Sequence, residues 1–262
     1  MTYTRRGRWA LVTGASAGIG KEFAKQLAAG GTNLLLTARR MDRLEALAPE
    51  LRSASGIKIE CVAADLEDTD GPAKIFAFAQ DKSLKIDILI NNAGFGDYGA
   101  FANSDLRKQL GMVKVNCGAV VNLTHLFLPG MIERRAGEIL ILASTAAFQP
   151  VPYMSVYAAT KAFDMLFAEG LAQEVKRFGI RVCALCPGST ESEFHDVAGS
   201  PGNLLAMQET AEQVVRVGLK ALASGKHVIV SGWKNRMGAG IQRLVPRRIV
   251  SHMTEKLFRP KK

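Results

Sequence analysis

The chain has 262 residues, 48% hydrophobic and 22% charged, which suits one globular domain with a sizeable core. Its formal charge of +10 sits at the ends: residues 1–9 hold Arg5, Arg6 and Arg8 with no acid, and residues 234–262 hold nine Lys/Arg against Glu255 alone. The body between is close to neutral, which argues against a nucleic-acid-binding domain.

The opening MTYTRRGRWALVTG lacks the apolar stretch of a signal peptide. The longest charge-free run, residues 139–160, is long enough for a bilayer, but Gln149, Pro150, Pro152 and several hydroxyls interrupt it. Cys61, Cys117, Cys183 and Cys186 define no disulfide framework. Cys183-x-x-Cys186 falls inside the apolar run IRVCALC, where packing is the expectation rather than a metal. No metal site is expected, and a cytoplasmic location is.

Residues 9–13 read as a short strand running into GASAGIG. Gly14, Gly18 and Gly20, with Ser16 and Ile19 among them, then stand at a strand-to-helix turn. Such a turn lets the backbone approach a pyrophosphate, whose charge rests on the helix N-terminus. Residues 33–38 form a second strand, followed by Arg39 and Arg40. In a dinucleotide-binding fold an acid closing this strand binds the ribose 2′-hydroxyl, whereas an arginine accommodates a 2′-phosphate. Ala38 stands where the acid would be and Arg39 follows, so the cofactor expected is NADP.

A helix over 42–54 leads to a strand over 57–63 and then Asp65-Leu66, where the aspartate either accepts from an adenine amino group or closes a turn. A helix over 71–81 and a strand over 86–90 follow. Asn91-Asn92-Ala93-Gly94 then offers small residues that let the chain pass under a flat cofactor. This alternation predicts a Rossmann-type, doubly wound parallel sheet of about seven strands with helices on both faces. Ligands of such sheets sit at the carboxyl ends of the strands.

Residues 106–132 form a long helical stretch containing Asn116, and its charge-free second half should be buried on several sides or against another subunit. A strand over 137–143 delivers Ser144. In a helix over 155–179, Tyr157 and Lys161 leave the same face one turn apart. A phenol ionises near pH 10, and an ammonium beside it lowers that value. A strand over 180–185 precedes Pro187-Gly188-Ser189-Thr190. Residues 191–208, with Phe194, Leu204, Leu205 and Met207, read as a substrate lid. A helix over 209–223 and a strand over 227–230 close a domain of residues 1–233. His125, His195, His227 and His252 read as structural or surface residues.

The remainder, residues 234–262, is a basic amphipathic tail. Met237, Ile241, Leu244 and Val245, then Ile249, Val250, Met253 and Leu257 beyond Pro246, recur at helical spacing. Two short helices could lie on a membrane surface, or their apolar stripe could pack over the lid or a neighbouring subunit.

Taken in order, Thr13-Gly14-x-x-x-Gly18-Ile19-Gly20, Asp65, Asn91-Asn92-Ala93-Gly94, Asn116, Ser144, Tyr157-x-x-x-Lys161 and Pro187-Gly188 resemble the short-chain dehydrogenase/reductase family over residues 8 to about 232. The departures are Ser189-Thr190 after Pro-Gly and the basic tail. The resemblance implies an NADP-dependent carbonyl reductase and a homodimer or homotetramer. Tyr157 would protonate the carbonyl oxygen, Ser144 would orient it, and Lys161 would lower the tyrosine pKa and bind the nicotinamide ribose. Asn116 would hold a water linking Lys161 to solvent. Thr190 and the backbone at Pro187 and Gly188 would fix the nicotinamide carboxamide. The run TARRMDRLEALA and the tail look most like reductases of acyl-lipid or steroid-type ketones. The alternative is a non-catalytic NADP-binding regulator or membrane-surface protein on the same fold, but a regulator has no need of an activated phenol.

Overall fold

The strands are apolar at successive positions, so both faces of the sheet they form must be covered. In the computed structural model, which describes residues 5–200 and 208–260, seven strands do this: β1 (Trp9–Thr13), β2 (Asn33–Ala38), β3 (Ile59–Ala63), β4 (Ile86–Asn91), β5 (Gly137–Leu142), β6 (Ile180–Cys186) and β7 (Val228–Val230). They lie in the order β3-β2-β1-β4-β5-β6-β7, every pair parallel. Ala10 and Val12 point into one apolar layer, with α1 (Gly18–Ala29), α2 (Met41–Ser55) and α8 (Ala211–Ala223). Leu11 points into the other, with α3 (Gly71–Asp81), α5 (Val120–Glu133) and α6 (Ser155–Val175). The winding reverses between β1 and β4, which opens a crevice at their carboxyl ends.

The long helix expected over 106–132 is divided. α4 (Leu106–Val113) passes into a π-helical segment (Lys114–Ala119) before α5 begins. The side chain of Asn116 clamps this segment: Nδ2 donates to Phe95 O and Thr160 Oγ1, both at 3.0 Å, and Oδ1 accepts from Phe95 N at 3.1 Å. A π turn accommodates the extra residue that this pull requires. The charge-free half is buried along one face rather than several, through Leu123, Phe127 and Met131, while Val121 is exposed. By length and composition alone Leu106–Glu133 could cross a membrane; here its buried face packs on the sheet.

The expected helix over 209–223 starts later. Thr210 caps it, its Oγ1 accepting from Gln213 N at 3.3 Å. Glu209 is held outside the helix by a bridge to Thr190 and by hydrogen bonds from Ser231 and Asn235. The lid region contains a short helix, α7 (Phe194–Ala198); Leu204, Leu205 and Met207 lie outside the described residues. The tail forms α9 (Trp233–Ile241) and α10 (Arg247–Phe258), broken at Pro246 as its missing N–H demands. α10 buries Val250 and Thr254. Its contacts reach the body: Tyr98 OH donates to Phe258 O at 2.8 Å, and Tyr153 OH to Glu255 Oε1 at 3.0 Å.

Candidate active site

The end of β1 is tied to the end of β4. Thr13 Oγ1 accepts the N–H groups of Asn92 and Ala93, each at 2.9 Å, and Asn92 Nδ2 donates to Thr13 O at 2.8 Å. The intervening turn has room for glycine alone. A Cβ on Gly20 would stand 2.1 Å from Gly14 O, and one on Gly14, at φ +66°, would stand 2.9 Å from Asn92 Nδ2. The turn thereby leaves the N-terminus of α1 open, a cradle of the shape and polarity a pyrophosphate needs. Beside it, Arg40 Nη2 donates to Ser16 Oγ at 3.3 Å and to Glu193 Oε2 at 3.0 Å, and Arg43 Nη1 donates to Glu193 Oε1 at 2.6 Å. These hydrogen bonds, from Arg43 first and then Arg40, hold the Glu193 carboxyl below its ordinary range. Arg39 is largely exposed, with Nη1 3.9 Å from Asp65 Oδ2. Asp65 also serves as a turn residue, Oδ1 accepting from Glu67 N at 3.0 Å.

At the other end, β5 delivers Ser144, whose Oγ accepts from Ala146 N at 3.1 Å. α6 carries Tyr157 and Lys161, with the lysine Nζ 5.9 Å from the tyrosine ring centroid. Lys161 Nζ donates to Leu142 O at 2.7 Å and to Asp164 Oδ2 at 3.0 Å. The Lys161 charge acts on the phenol in the expected direction, against an opposing effect of burial. Burial pushes the Tyr157 phenol above its ordinary value; the Lys161 charge and a hydrogen bond with Ser144 offset this only in part, and the Asp164 charge adds to it. Burial is the largest influence and by itself would lower Lys161, but Asp164, by charge and hydrogen bond, together with Tyr157 and Cys117, pushes the ammonium up. Asn116 spends both Nδ2 hydrogens on Phe95 and Thr160, while Oδ1 accepts from Phe95 N and keeps a second lone pair.

Both ends belong to one cavity of about 470 Å³, a size typical of small-molecule sites. It is lined by Gly14, Ser16, Gly18, Ile19, Gly20, Arg39, Asp65 and Leu66 at one end, by Asn92, Ala93 and Gly94 beneath, and by Ser144, Tyr157, Lys161, Pro187, Gly188 and Thr190 at the other. Asn116 lies behind this wall. Past Tyr157 the lining is mostly apolar, with Phe95, Val151, Met154, Phe194, Leu257 and Phe258 beside Gln149 and His195. Phe194 packs on Tyr157, ring centroids 5.1 Å apart.

The family model for short chain dehydrogenases matches residues 8–200. The chain belongs to this family. It is similar to very-long-chain 3-oxoacyl-CoA reductases: 37% identical over 191 residues to that of Phaeosphaeria nodorum, covering 68% of this chain and 53% of the relative, and 38% over 186 residues to that of Anas platyrhynchos, covering 69% and 59%. The chain thus spans little more than half the length of the curated relatives it matches. Among solved structures, a short-chain dehydrogenase from Sphingobium yanoikuyae in complex with NADPH superposes with a TM-score of 0.82 at 31% identity, covering 90% of this chain and 94% of the other. A bulky-bulky ketone specific alcohol dehydrogenase from Comamonas testosteroni superposes with a TM-score of 0.77 at 29% identity, covering 90% and 93%.

Several residues around the cavity are brought there by the fold alone. Arg40 and Arg43 meet Glu193 only because the lid folds back over the start of α2. Leu257 and Phe258 reach the cavity from the far end of the chain. His195, taken as structural, lines the cavity wall and is held between Ser189 Oγ and Ser200 Oγ, both at 3.0 Å. Asp164 left one legible trace, an acid three residues past Lys161 in an otherwise apolar helix stretch. Cys183 and Cys186 are packing residues of β6, and burial pushes both thiols up to about 12.

Proposed function

We propose that this dehydrogenase uses NADPH to reduce a ketone or aldehyde to an alcohol, on an apolar substrate such as an acyl-lipid or steroid-like ketone. The observation that carries the reading is the single cavity, with a glycine cradle and arginines at one end and Ser144, Tyr157 and Lys161 at the other. The cofactor, when bound, supplies the hydride. The α1 N-terminus would take the pyrophosphate, and Ser16, Arg39 and Arg40 the 2′-phosphate. Asp65 and Leu66 flank the adenine side, and Asn92, Ala93 and Gly94 form the floor. Pro187, Gly188 and Thr190 border the nicotinamide side, and Lys161 would hold the adjoining ribose. Tyr157 donates the proton to the carbonyl oxygen, and Ser144 holds that oxygen by a hydrogen bond. Asn116, behind Lys161, would hold a water that links the lysine to solvent. The apolar wall and the likeness to 3-oxoacyl-CoA reductases support the substrate class. Following NADPH oxidation across aldehydes, cyclic ketones, steroids and 3-ketoacyl thioesters tests it; no turnover with any of them, despite tight NADPH binding, would favour the non-catalytic alternative.

Two exposed apolar surfaces support a homo-oligomer and a peripheral membrane contact. Leu106, Leu110, Val113, Phe163 and Leu166 are exposed on α4 and α6, an apolar face suited to a second copy. A strictly monomeric species in sedimentation at micromolar concentration would remove the dimer or tetramer. On the tail, Trp233, Met237, Ile241, Ile249 and Met253 are exposed at helical spacing, among basic residues. Each basic group near anionic lipid contributes about 1 kcal/mol. Co-sedimentation with anionic vesicles at low salt should fall when Met237 and Met253 are both changed to Glu; a wild-type chain that stays in the supernatant refutes the membrane contact.

A further inference from the structure

Three consecutive residues, Ser192, Glu193 and Phe194, span the cavity from its phosphate end to its reacting end. Their starting point is fixed. Thr190 bridges Glu209, Glu191 N donates to Glu209 O at 3.1 Å, and Ser192 Oγ donates to Thr190 O at 3.3 Å. Ser192 then lies over the open N-terminus of α1, so close that a Cβ on Gly18 would stand 3.0 Å from Ser192 Cβ. The two carboxylate oxygens of Glu193 accept from Arg40 at 3.0 Å and from Arg43 at 2.6 Å, while Arg40 also reaches Ser16 Oγ at 3.3 Å. Phe194 comes next, its ring centroid 5.1 Å from that of Tyr157. That ring is seated on Gly96, where a Cβ would stand 2.6 Å from Phe194 Cζ. Two guanidinium groups, one of them braced by a hydroxyl, thus converge on a single carboxylate. It is an anion clamp whose anion the chain itself supplies.

We infer that the Glu193 carboxylate stands in for the cofactor's 2′-phosphate: it holds the Arg40–Arg43 clamp until that phosphate displaces it, and its release draws Phe194 away from Tyr157. The inference rests on the reading of Ser16 and Arg40 as the 2′-phosphate site. The phosphate wins the exchange because it is close to a dianion and offers three oxygens to two guanidinium groups, against the single charge of a carboxylate. The contact given up is weak, since the three side chains are about half exposed. Both anions cannot stay, because they would face each other with like charge. A ligand shifts such an equilibrium only by its differential affinity, and NADH, with a hydroxyl in that place, brings no charge to the exchange. Glu193 and Phe194 are neighbours in the chain, so the choice of cofactor is coupled to access to the catalytic phenol.

Adenosine 2′,5′-bisphosphate and 5′-AMP differ only in the 2′-phosphate and need no turnover, which makes them the probes. In titration calorimetry, Glu193→Gln should bind the bisphosphate about two- to fivefold more tightly than the wild type does, as removal of an exposed competing ion pair implies. Binding of 5′-AMP should not change. Hydrogen exchange over residues 192–198 reads the release. In the wild type the bisphosphate should speed it and 5′-AMP should not, and Arg43→Ala should speed it without either probe. Unchanged affinity of folded Glu193→Gln for the bisphosphate would overturn the inference. Weaker binding would also overturn it and make Glu193 a clasp on the bound cofactor. Exchange that the bisphosphate slows or leaves alone would refute the release of Phe194. If Arg40→Ala keeps the preference for the bisphosphate over 5′-AMP, the phosphate-site reading itself fails and the inference with it. If that preference collapses while Glu193→Gln changes nothing, the stand-in alone is refuted.

Discussion

At the β1–β4 end of the cavity the shape comes from backbone: the glycines of one turn pressed against Asn92, and a helix N-terminus left open. At the opposite end it comes from side chains that arrive from far apart, Val151 and Met154 before α6, Phe194 on the lid, Leu257 and Phe258 at the end of α10. Backbone geometry tolerates almost no change and reads a feature common to all dinucleotides. Side chains tolerate exchange, so the apolar end is where substrate choice can vary without disturbing the cofactor end.

The largest expected effect separates the chemistry from both ends. Tyr157→Phe should lower turnover by about 10²–10⁴-fold, the usual loss for a general acid, while NADPH binding measured by fluorescence stays near that of the wild type. Residual activity above roughly a tenth would remove Tyr157 from the role.

The arginines come next. Arg40, hydrogen-bonded to Ser16, should lose about 1.5–3 kcal/mol of charge-assisted contact with a 2′-phosphate when changed to Ala. NADPH affinity should then fall by one to two orders of magnitude with NADH nearly unchanged. Arg39→Ala should show the same selectivity but a smaller loss, because its side chain is 68% exposed. Equal losses for both cofactors in titration calorimetry would refute the phosphate assignment.

A paired glycine test sharpens the contrast in backbone tolerance. Gly20→Ala drives a methyl into Gly14 O and should destabilise the fold by about 1–3 kcal/mol, with weaker dinucleotide binding. Gly238→Ala on α9 meets nothing within 4 Å and should stabilise by about 0.5–1 kcal/mol. Denaturant midpoints read both; equal effects would erase the distinction.

The smallest effect is the pH response of the lid contact. Glu193 has its folded value lowered by Arg43 and Arg40, so its contribution is present above the ordinary value of 4.5 and lost as pH falls through the lower folded value. Because the three side chains are about half exposed, the contribution should be under about 1 kcal/mol. Glu193→Gln should lower the melting temperature slightly at pH 7, and the difference from the wild type should shrink as the pH falls below 4.5.

Much of this molecule is legible in one dimension because its determinants are local. The alternation of strand and helix, the glycines of GASAGIG, the break at Pro246 and the one-turn spacing of Tyr157 and Lys161 each follow from φ/ψ sterics or helix periodicity. A parallel sheet then carries the ends of all its strands to one edge, so the motifs converge without further information. The tertiary structure alone decided four things. It showed that Arg40 and Arg43, not Arg39, meet the lid, that Asn116 spends its amide on bracing a π turn, and that α10 supplies part of the cavity wall. It also turned an inconspicuous acid, Asp164, into the fully buried partner of the lysine. Contacts between residues far apart depend on which helix faces meet, and electrostatic balance depends on burial. Neither is carried by the spacing of residues along a chain.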